Sequence, residues 1–370
     1  MLTVQILIVG ALLLLFWLSA IYSVSIFESF DLTLDLVAKW VMTDPSNYYY
    51  FFEQLTKLVV GLVLAWIVYR MPMRWIIQGK YVIFAVTLGG VFLLFTSLGI
   101  ELNGSNAWLS VPGGTIQPGE FFKIGFVLYI ASWLTKKQRV LDDFQFFLWF
   151  TIITCIIYSI FLFVPDLGTI LVLFTVAMLM FWYAGGKKRF IAALFGVALV
   201  FGVIATMQFS YINKRMAYFL NPDADSSWRG VGRQTKQALI AVGWGGWIGK
   251  WYGKWLQKFG YIPEAQSDFI FAAFAEEVWF LWSTLLLFLY LLLCRYFLRA
   301  LPDIKDPYQR LIWVGFVSMI MMQMCINVWV NIKLVPLTWL TLPFVSHGGS
   351  ALIVNMVEVI IMYKIVKQNA

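Results

Sequence analysis

Ten long apolar segments dominate the sequence and limit the folds that it can adopt. A helix needs about 20 mostly apolar residues to cross a bilayer. Segments of this kind lie near residues 4–27, 52–70, 81–99, 118–134, 146–164, 167–184, 189–208, 268–294, 311–330 and 348–366. The chain is 61% hydrophobic and 12% charged, whereas soluble domains are about 45–50% apolar and about 25% charged. The pattern therefore predicts a single all-α polytopic membrane domain over residues 1–370, a bundle of about ten transmembrane helices.

Basic residues in the short loops predict how this bundle is oriented. They are concentrated in the loops after even-numbered segments and at the C-terminus: Arg70, Arg74, Lys80, Lys136, Lys137, Arg139, Lys187, Lys188, Arg189, Arg295, Arg299, Lys305, Arg310, Lys364 and Lys367. Because cytoplasmic loops carry an excess of Lys and Arg, we expect both termini to be cytoplasmic. The first segment lacks a basic leader and a small-residue cleavage site, which indicates a retained helix rather than a signal peptide.

A long polar stretch over about 209–267 separates the seventh and eighth segments. The predicted orientation makes it a large extracytoplasmic loop, and long loops translocate largely regardless of their charge. Its excess of basic residues indicates either an anionic partner or attraction to lipid headgroups. The net charge of +8 reflects topology, and we expect no nucleic-acid partner. The three cysteines all lie in apolar segments, so neither a disulfide framework nor a metal-ligand cluster is predicted.

Polar residues at membrane depth are the first candidates for a functional site. Gln117, Glu120 and Lys123 are three residues apart and therefore share one face of the fourth predicted helix. Pairing of Glu120 with Lys123 would lower the cost of burying both charges. A purely structural ion pair and a substrate-binding site both fit this pattern.

Two aspartates at the predicted outer ends of segments are further candidates. Asp166 lies within the Pro–Asp–Leu–Gly turn over 165–168, and Thr169 follows it. Such a turn is typical of a capped helix start as well as of a site. Asp268 stands where the long loop becomes the eighth segment. There it could complement the helix dipole and cap free N–H groups, or line an outward-facing cavity together with Lys123, if segments four and eight pack together.

Several other activities find no support in the sequence. The single histidine, His347, lies in no nucleophile motif, and the chain has neither a Gly-x-Ser-x-Gly nor a Walker sequence. The glycine-rich run GWGGWIGKWYG lacks the strand-to-helix context of a nucleotide-binding loop. Triad hydrolysis and ATP-driven transport are therefore not indicated.

An ordered set of short motifs resembles the SEDS family (shape, elongation, division and sporulation). In chain order these motifs are GSNAWL, QPGEFFKI, PDLGT, RMAYFLNPDAD, AVGWGGWIGKWYG, LQKFGYIPEAQSDFIFAAFAEE and PLTWLTLPFVSHGGSALI. The LQKFGYIPEA and TLPFVSHGG motifs are more similar to the FtsW branch than to the RodA branch. The resemblance runs nearly from end to end.

The resemblance implies a peptidoglycan glycosyltransferase in the bacterial plasma membrane. Such an enzyme polymerises lipid II into β-1,4-linked glycan strands on the outer face of the membrane, during division or elongation. The implied partners are lipid II, the nascent lipid-linked glycan, a class B penicillin-binding protein and other divisome or elongasome membrane proteins. A lipid II flippase and a non-catalytic divisome scaffold remain alternatives. No cofactor is required from the sequence, although a divalent cation, Mg²⁺ or Mn²⁺, could assist the leaving pyrophosphate.

The same resemblance assigns roles to individual residues. Asp268 matches the proposed catalytic base, and Glu276 and Glu277 match a family pair that we interpret as support for the cavity. The remaining substrate-binding candidates are Lys123, Glu120, Gln117, Trp108, Arg215, Asp166, Thr169 and Ser346. We predict no metal-ligating residue.

The sequence also departs from the family pattern. It has Ala107 where Arg is usual, His347 where Tyr is usual, and Lys333 where Gly is usual. Tryptophan stands at four further positions where the family commonly has Gly: Trp251, Trp279, Trp329 and Trp339. Either the gene encodes real tryptophans, or several of these codons are UGA read as glycine in the cell.

Overall fold

The computed structural model describes residues 2–39, 41–102, 105–111, 114–225, 230–245, 262–263 and 265–369. Within them the chain forms α1 Leu2–Val24, α2 Ile26–Ala38, α3 Tyr49–Arg70, α4 Met73–Gln78, α5 Lys80–Phe92, α6 Pro118–Lys136, α7 Phe144–Phe163, α8 Leu167–Tyr183, α9 Lys188–Gln208, α10 Ser210–Leu220, α11 Val231–Gly245, α12 Ile270–Ala300, α13 Pro307–Asn331 and α14 Gly349–Asn369. Short 3₁₀ turns occur at Leu93–Phe95, Gln138–Val140, Pro222–Ala224 and Leu301–Asp303.

A helix lies at each of the ten predicted membrane segments, which confirms a helical polytopic membrane protein. In the described part of the chain, six helical stretches are long and apolar enough to cross a bilayer: Tyr49–Arg70, Phe144–Phe163, Lys188–Gln208, Leu281–Asp303, Pro307–Asn331 and Gly349–Asn369. The pair Ile8–Val24 and Ile26–Ala38, bent by 56°, would make a seventh if it forms one span. The number ten therefore stays a prediction.

Side-chain caps and proline explain where several helices begin. Asp143 accepts a hydrogen bond from Gln145 N at 3.1 Å before α7, and Asp306 accepts one from Tyr308 N at 2.9 Å at the start of α13. Such caps satisfy N–H groups that lack a partner within the helix. Pro118 opens α6, where its missing N–H costs nothing and its fixed φ suits a helix.

A small antiparallel sheet, which the sequence did not predict, precedes α6. Its strands are β1 Gly99–Leu102, β2 Ser105–Val111 and β3 Gly114–Ile116, in the order β1-β2-β3. The predicted third span, 81–99, accordingly ends early as a helix, because Gly99 already pairs with Leu109. Ser105 Oγ donates to Val164 O at 3.1 Å, which attaches the sheet to the end of α7.

The predicted extracytoplasmic loop over 209–267 is helical in part. Helices α10 and α11 lie within it and carry many of its basic residues. Lys236 pairs with Asp223, and the hydrogen bond from Lys236 holds the pKa of the exposed Asp223 carboxyl below its usual value. Residues 226–229, 246–261 and 264 lie outside the described part of the chain.

The chain forms two compact units, each built from three separate stretches. The first contains Met1–Val60, Asn213–Tyr296 and Gln323–Leu352, and the second contains Gly61–Ile212, Phe297–Met322 and Ile353–Ala370. In the first unit α1 packs on α12, with the rings of Phe16 and Phe274 5.6 Å apart. The single domain predicted over 1–370 stays a prediction.

The core of the second unit is built around α6. The ring of Phe122 on α6 lies 5.5 Å from that of Phe161 on α7. Tyr308 Oη donates to Leu128 O at 3.2 Å and so ties α13 to α6. Fourteen of the 19 residues of α6 are buried, which fits a central helix rather than one that faces lipid.

Candidate active site

The residues predicted to act on a substrate fall into two groups, one in each unit. The first unit contains Arg215, Asp268, Glu276, Glu277 and Ser346. The second unit contains Trp108, Gln117, Glu120, Lys123, Asp166 and Thr169.

Lys123 and Glu120 form the ion pair that their spacing predicted. Lys123 Nζ donates to Glu120 Oε1 at 2.6 Å, and the two side chains are only 1% and 4% exposed. Because few water molecules can screen them, these charges interact more strongly than a surface pair would. The second unit therefore contains a buried ammonium group whose charge is neutralised by a neighbouring carboxylate.

Asp166 caps α8 beside this pair. Its Oδ1 accepts from Thr169 N at 2.9 Å and its Oδ2 from Thr169 Oγ1 at 2.7 Å. Gly119 of α6 lies beside this cap, because a Cβ built there would be in ordinary van der Waals contact with Asp166 Oδ2, at 3.5 Å. Burial raises the pKa of Asp166, while the Thr169 hydrogen bonds and the charge of Lys123 oppose this increase. Asp166 thus has the helix-capping role that the turn predicted.

Glu358 on α14 was missed by the sequence analysis. It is fully buried and interacts electrostatically with Lys123 and Glu120. Within the described residues, neither of its carboxylate oxygens has a hydrogen-bond partner. The sequence offered one indication of this residue: a carboxylate within the last apolar segment, which is uncommon at membrane depth and often functional.

Trp108 and Gln117 flank α6 on its N-terminal side. Trp108 lies on β2, opposite Ile100 of β1. Gln117 is the residue before α6 and is partly exposed. Both residues therefore precede the helix that carries Lys123, Trp108 in the sheet and Gln117 directly before the first helical residue.

Asp268 is partly exposed and lies two residues before α12. The backbone carbonyl groups of residues 266, 267 and 268 each accept a hydrogen bond from a distant part of the chain. Gln266 O accepts from His347 N at 2.8 Å, and Ser267 O accepts from Ser346 Oγ. Asp268 O accepts from Asn327 Nδ2 at 3.0 Å and from Asn331 Nδ2 at 2.9 Å.

The two asparagines were not predicted as part of the site. Asn327 and Asn331 are 1% and 0% exposed on α13, and their spacing of four places both on one helix face. A buried amide requires hydrogen-bond partners, but the sequence does not reveal that the partner is the Asp268 backbone. Ser346, by contrast, was predicted, and it contacts the same segment.

Arg215 on α10 is anchored to the segment that follows α13. Its Nη1 donates to Leu337 O at 3.4 Å, and its Cζ lies 3.9 Å from the centroid of the Trp339 ring. The side chain is 4% exposed. The guanidinium is therefore held by a carbonyl and an aromatic face.

Glu276 and Glu277 are both buried in α12. Glu277 Oε1 accepts a short hydrogen bond from Ser23 Oγ on α1. At 1.5 Å per residue, Glu276 lies about 12 Å along a helix from the level of Asp268, too far to share one proton. A supporting role inside the first unit fits this placement.

The described residues do not form a metal site. Nowhere in this part of the chain are three His, Cys, Asp or Glu side chains arranged to hold a metal ion. A divalent cation that assists the leaving pyrophosphate stays a prediction.

Comparison with known proteins relates this geometry to a family. Residues 4–370 match the sequence profile of the FtsW, RodA and SpoVE family, described as cell cycle protein. The chain is 36% identical over 272 residues to stage V sporulation protein E of Bacillus subtilis, covering 73% of each chain. It is 30% identical over 345 residues to a probable peptidoglycan glycosyltransferase FtsW of Trichlorobacter lovleyi, covering 91% of this chain and 89% of that protein.

Solved structures share the fold. RodA of Thermus thermophilus is similar with a TM-score of 0.70 and 22% identity, over 98% of this chain and 96% of that one. A chain from a peptidoglycan synthase complex that coordinates polymerization and crosslinking is similar with a TM-score of 0.76 and 23% identity, over 100% of this chain and 97% of that one. The profile match over almost the whole length, together with these relatives, shows that the chain belongs to the FtsW, RodA and SpoVE family of cell cycle proteins.

Proposed function

We propose that the protein is a peptidoglycan glycosyltransferase that polymerises lipid II at the outer face of the plasma membrane, with both termini in the cytoplasm. The observation that carries the proposal is Asp268, a partly exposed carboxylate whose backbone is fixed by hydrogen bonds from two other segments. Relatives that carry the name peptidoglycan glycosyltransferase FtsW support it.

In the proposed reaction Asp268 acts as the general base. The 4-hydroxyl oxygen of the acceptor sugar attacks an anomeric carbon that carries a lipid pyrophosphate. The new C–O bond forms as the bond to the pyrophosphate oxygen breaks, and the hydroxyl proton passes to Asp268. Attack opposite the leaving group converts an α-linked donor into a β-1,4 bond. A positioned base contributes about 10²–10⁴-fold to such a step.

Basic side chains are proposed to offset the pyrophosphate charge. Arg215 and Lys123 are the candidates, because electrostatic stabilisation is often the largest contribution to catalysis. Both are almost fully buried in this structure, and Lys123 is already paired with Glu120. We therefore expect the Lys123 environment to rearrange if this ammonium contacts the substrate.

We propose a class B penicillin-binding protein as partner. The support is the similarity to a chain from a complex that coordinates polymerization and crosslinking. Lipid II is the proposed substrate, and the nascent lipid-linked glycan and other divisome or elongasome membrane proteins are further proposed contacts.

The deciding experiment is polymerisation of purified lipid II by the purified protein, with and without the transpeptidase. Glycan strands that require the wild-type protein support the proposal. Movement of lipid II across the vesicle membrane without strand formation would instead indicate a flippase. Absence of both activities, even with the partner present, would indicate a scaffold.

A further inference from the structure

The side-chain amide of Asn331 caps the N-terminal end of α12. The helix begins at Ile270, so the N–H of Ala272 is one of its first N–H groups, which have no partner within the helix. Ala272 N donates to Asn331 Oδ1 at 3.0 Å, and Asn331 Nδ2 donates to Asp268 O at 2.9 Å. The first regular bond of the helix runs from Ala273 N to Phe269 O at 2.9 Å. The Asn331 amide therefore bridges an N–H group in the first turn of α12 and the carbonyl of Asp268, two residues before the helix.

The same amide holds the backbone at Asp268 against α13. Residues 265–269 are turns, and α12 begins at Ile270, so the Asp268 carbonyl precedes the helix. This carbonyl accepts hydrogen bonds from Asn331 Nδ2 and Asn327 Nδ2. The two asparagines therefore fix the backbone position from which the Asp268 side chain projects.

Asn331 is itself held in place. It is 0% exposed, and its Nδ2 also donates to Asn327 O at 2.9 Å, one turn earlier in α13. Asn327 in turn donates to Leu340 O at 2.7 Å as well as to Asp268 O. The amide that bridges α12 is thus connected to the segment after α13, which restricts its rotamers.

We propose that Asn331 is a positioning residue for Asp268, and that it holds the carboxylate in the orientation that catalysis needs by bridging the Asp268 carbonyl and the Ala272 N–H group. The proposal rests on the proposed function, because it assumes that Asp268 is the base. Asn327 supports the same carbonyl from a second direction. Displacement of a reacting group by about 1 Å can cost about 100-fold in rate.

Two substitutions separate positioning from stability. Asn331→Ala removes both bridging bonds. Asn331→Asp keeps an oxygen for Ala272 N–H but removes the donor to Asp268 C=O. Asn355→Ala is the matched control, because Asn355 is an equally buried asparagine (2% exposed) on α14, in the other unit.

We expect both Asn331 variants to insert and fold, with kcat for lipid II polymerisation lowered about 10- to 100-fold and KM changed little. Asn355→Ala should keep its kcat. A thermal unfolding curve in detergent measures stability separately. Unchanged kcat in both Asn331 variants, even with a lowered Tm, would overturn the proposal, because Asn331 would then be merely structural.

A double substitution distinguishes this failure from a failure of the proposed function. In the Asp268→Asn background, Asn331→Ala should cause no further loss, because residues that act as a unit are not additive. A further loss of similar size would overturn positioning through Asp268. Wild-type activity of Asp268→Asn by itself would instead refute the role of Asp268 as base.

Discussion

Lys123 Nζ lies 2.6 Å from Glu120 Oε1, and the pair is buried within the second unit. Removing one partner of a buried pair typically costs about 3–5 kcal/mol, because the other charge is left uncompensated. Glu358 interacts with the same ammonium. Loss of Lys123 would therefore remove a cation with which two buried carboxylates interact.

We predict that Lys123→Met lowers polymerisation more than Lys333→Met does. Lys333 follows α13 and is partly exposed, so its loss removes no buried partner. The unfolding free energy of Lys123→Met should fall by about 3–5 kcal/mol. The double variant Lys123→Met with Glu120→Gln should recover part of this stability, since the uncompensated charge is also removed. Equal losses of activity for Lys123→Met and Lys333→Met would contradict the prediction.

Asp268→Asn should leave the protein folded and inserted but remove most of its glycan polymerisation activity. The substitution keeps the shape of the side chain and leaves the carbonyl bonds to Asn327 and Asn331 intact. It removes the proton acceptor, so we expect a loss of about 10²–10⁴-fold in kcat. The measurement is strand formation from lipid II by the purified variant. A wild-type rate would refute the assignment.

The contact between Ser23 and Glu277 predicts a change in stability. Ser23→Ala removes the donor to a carboxylate that is buried in α12. A hydrogen bond to a charged group contributes about 1.5–3 kcal/mol, so Tm in detergent should fall. Ser19→Ala on the same helix is the control, because Ser19 is exposed and its hydroxyl donates to Phe16 O. Equal Tm values for the two variants would show that Glu277 has another sufficient donor.

The membrane helices could be predicted from sequence because the length of an apolar segment is enough to identify each of them. The Lys123–Glu120 pair could be predicted as well, because a spacing of three fixes it within one helix. The sheet over 99–116 could not, since its strands are short and one of them has only three residues. Helices α10 and α11 lack an apolar run of the length that identifies a membrane segment.

The contacts made between helices are the part that the sequence does not determine. Asn331 and Asp268 are 63 residues apart, and Glu358 is more than 230 residues from Lys123. Nothing local marks these residues as partners, because a buried amide or carboxylate can be satisfied by many groups. Their roles follow from packing, which single-sequence patterns do not specify.

The tryptophan positions differ in what their backbone permits. Trp339 has φ +53, a left-handed conformation in which a bulky residue is an outlier and which glycine adopts without strain. This backbone conformation costs a tryptophan about 1–2 kcal/mol. The Arg215 guanidinium, 3.9 Å from the centroid of the ring, partly offsets that cost. Trp329, on α13, is 38% exposed, and nothing in its conformation requires glycine. Trp251 and the side chain of Trp279 lie outside the described residues.

We predict that Trp339 is the position at which glycine fits best, and that Trp339→Gly is tolerated because relief of backbone strain offsets the lost Arg215 contact. Trp329→Gly should instead be destabilising, because glycine inside a helix costs about 0.5–1 kcal/mol relative to alanine. Thermal unfolding in detergent compares the Tm values of the two variants.

Reading the gene tests the recoding hypothesis directly: UGA at Trp251, Trp279, Trp329 and Trp339, with UGG at Trp108, would establish that these four residues are glycine in the cell. UGG at all four positions would end the hypothesis, and the left-handed Trp339 would then be a strained tryptophan that binds Arg215.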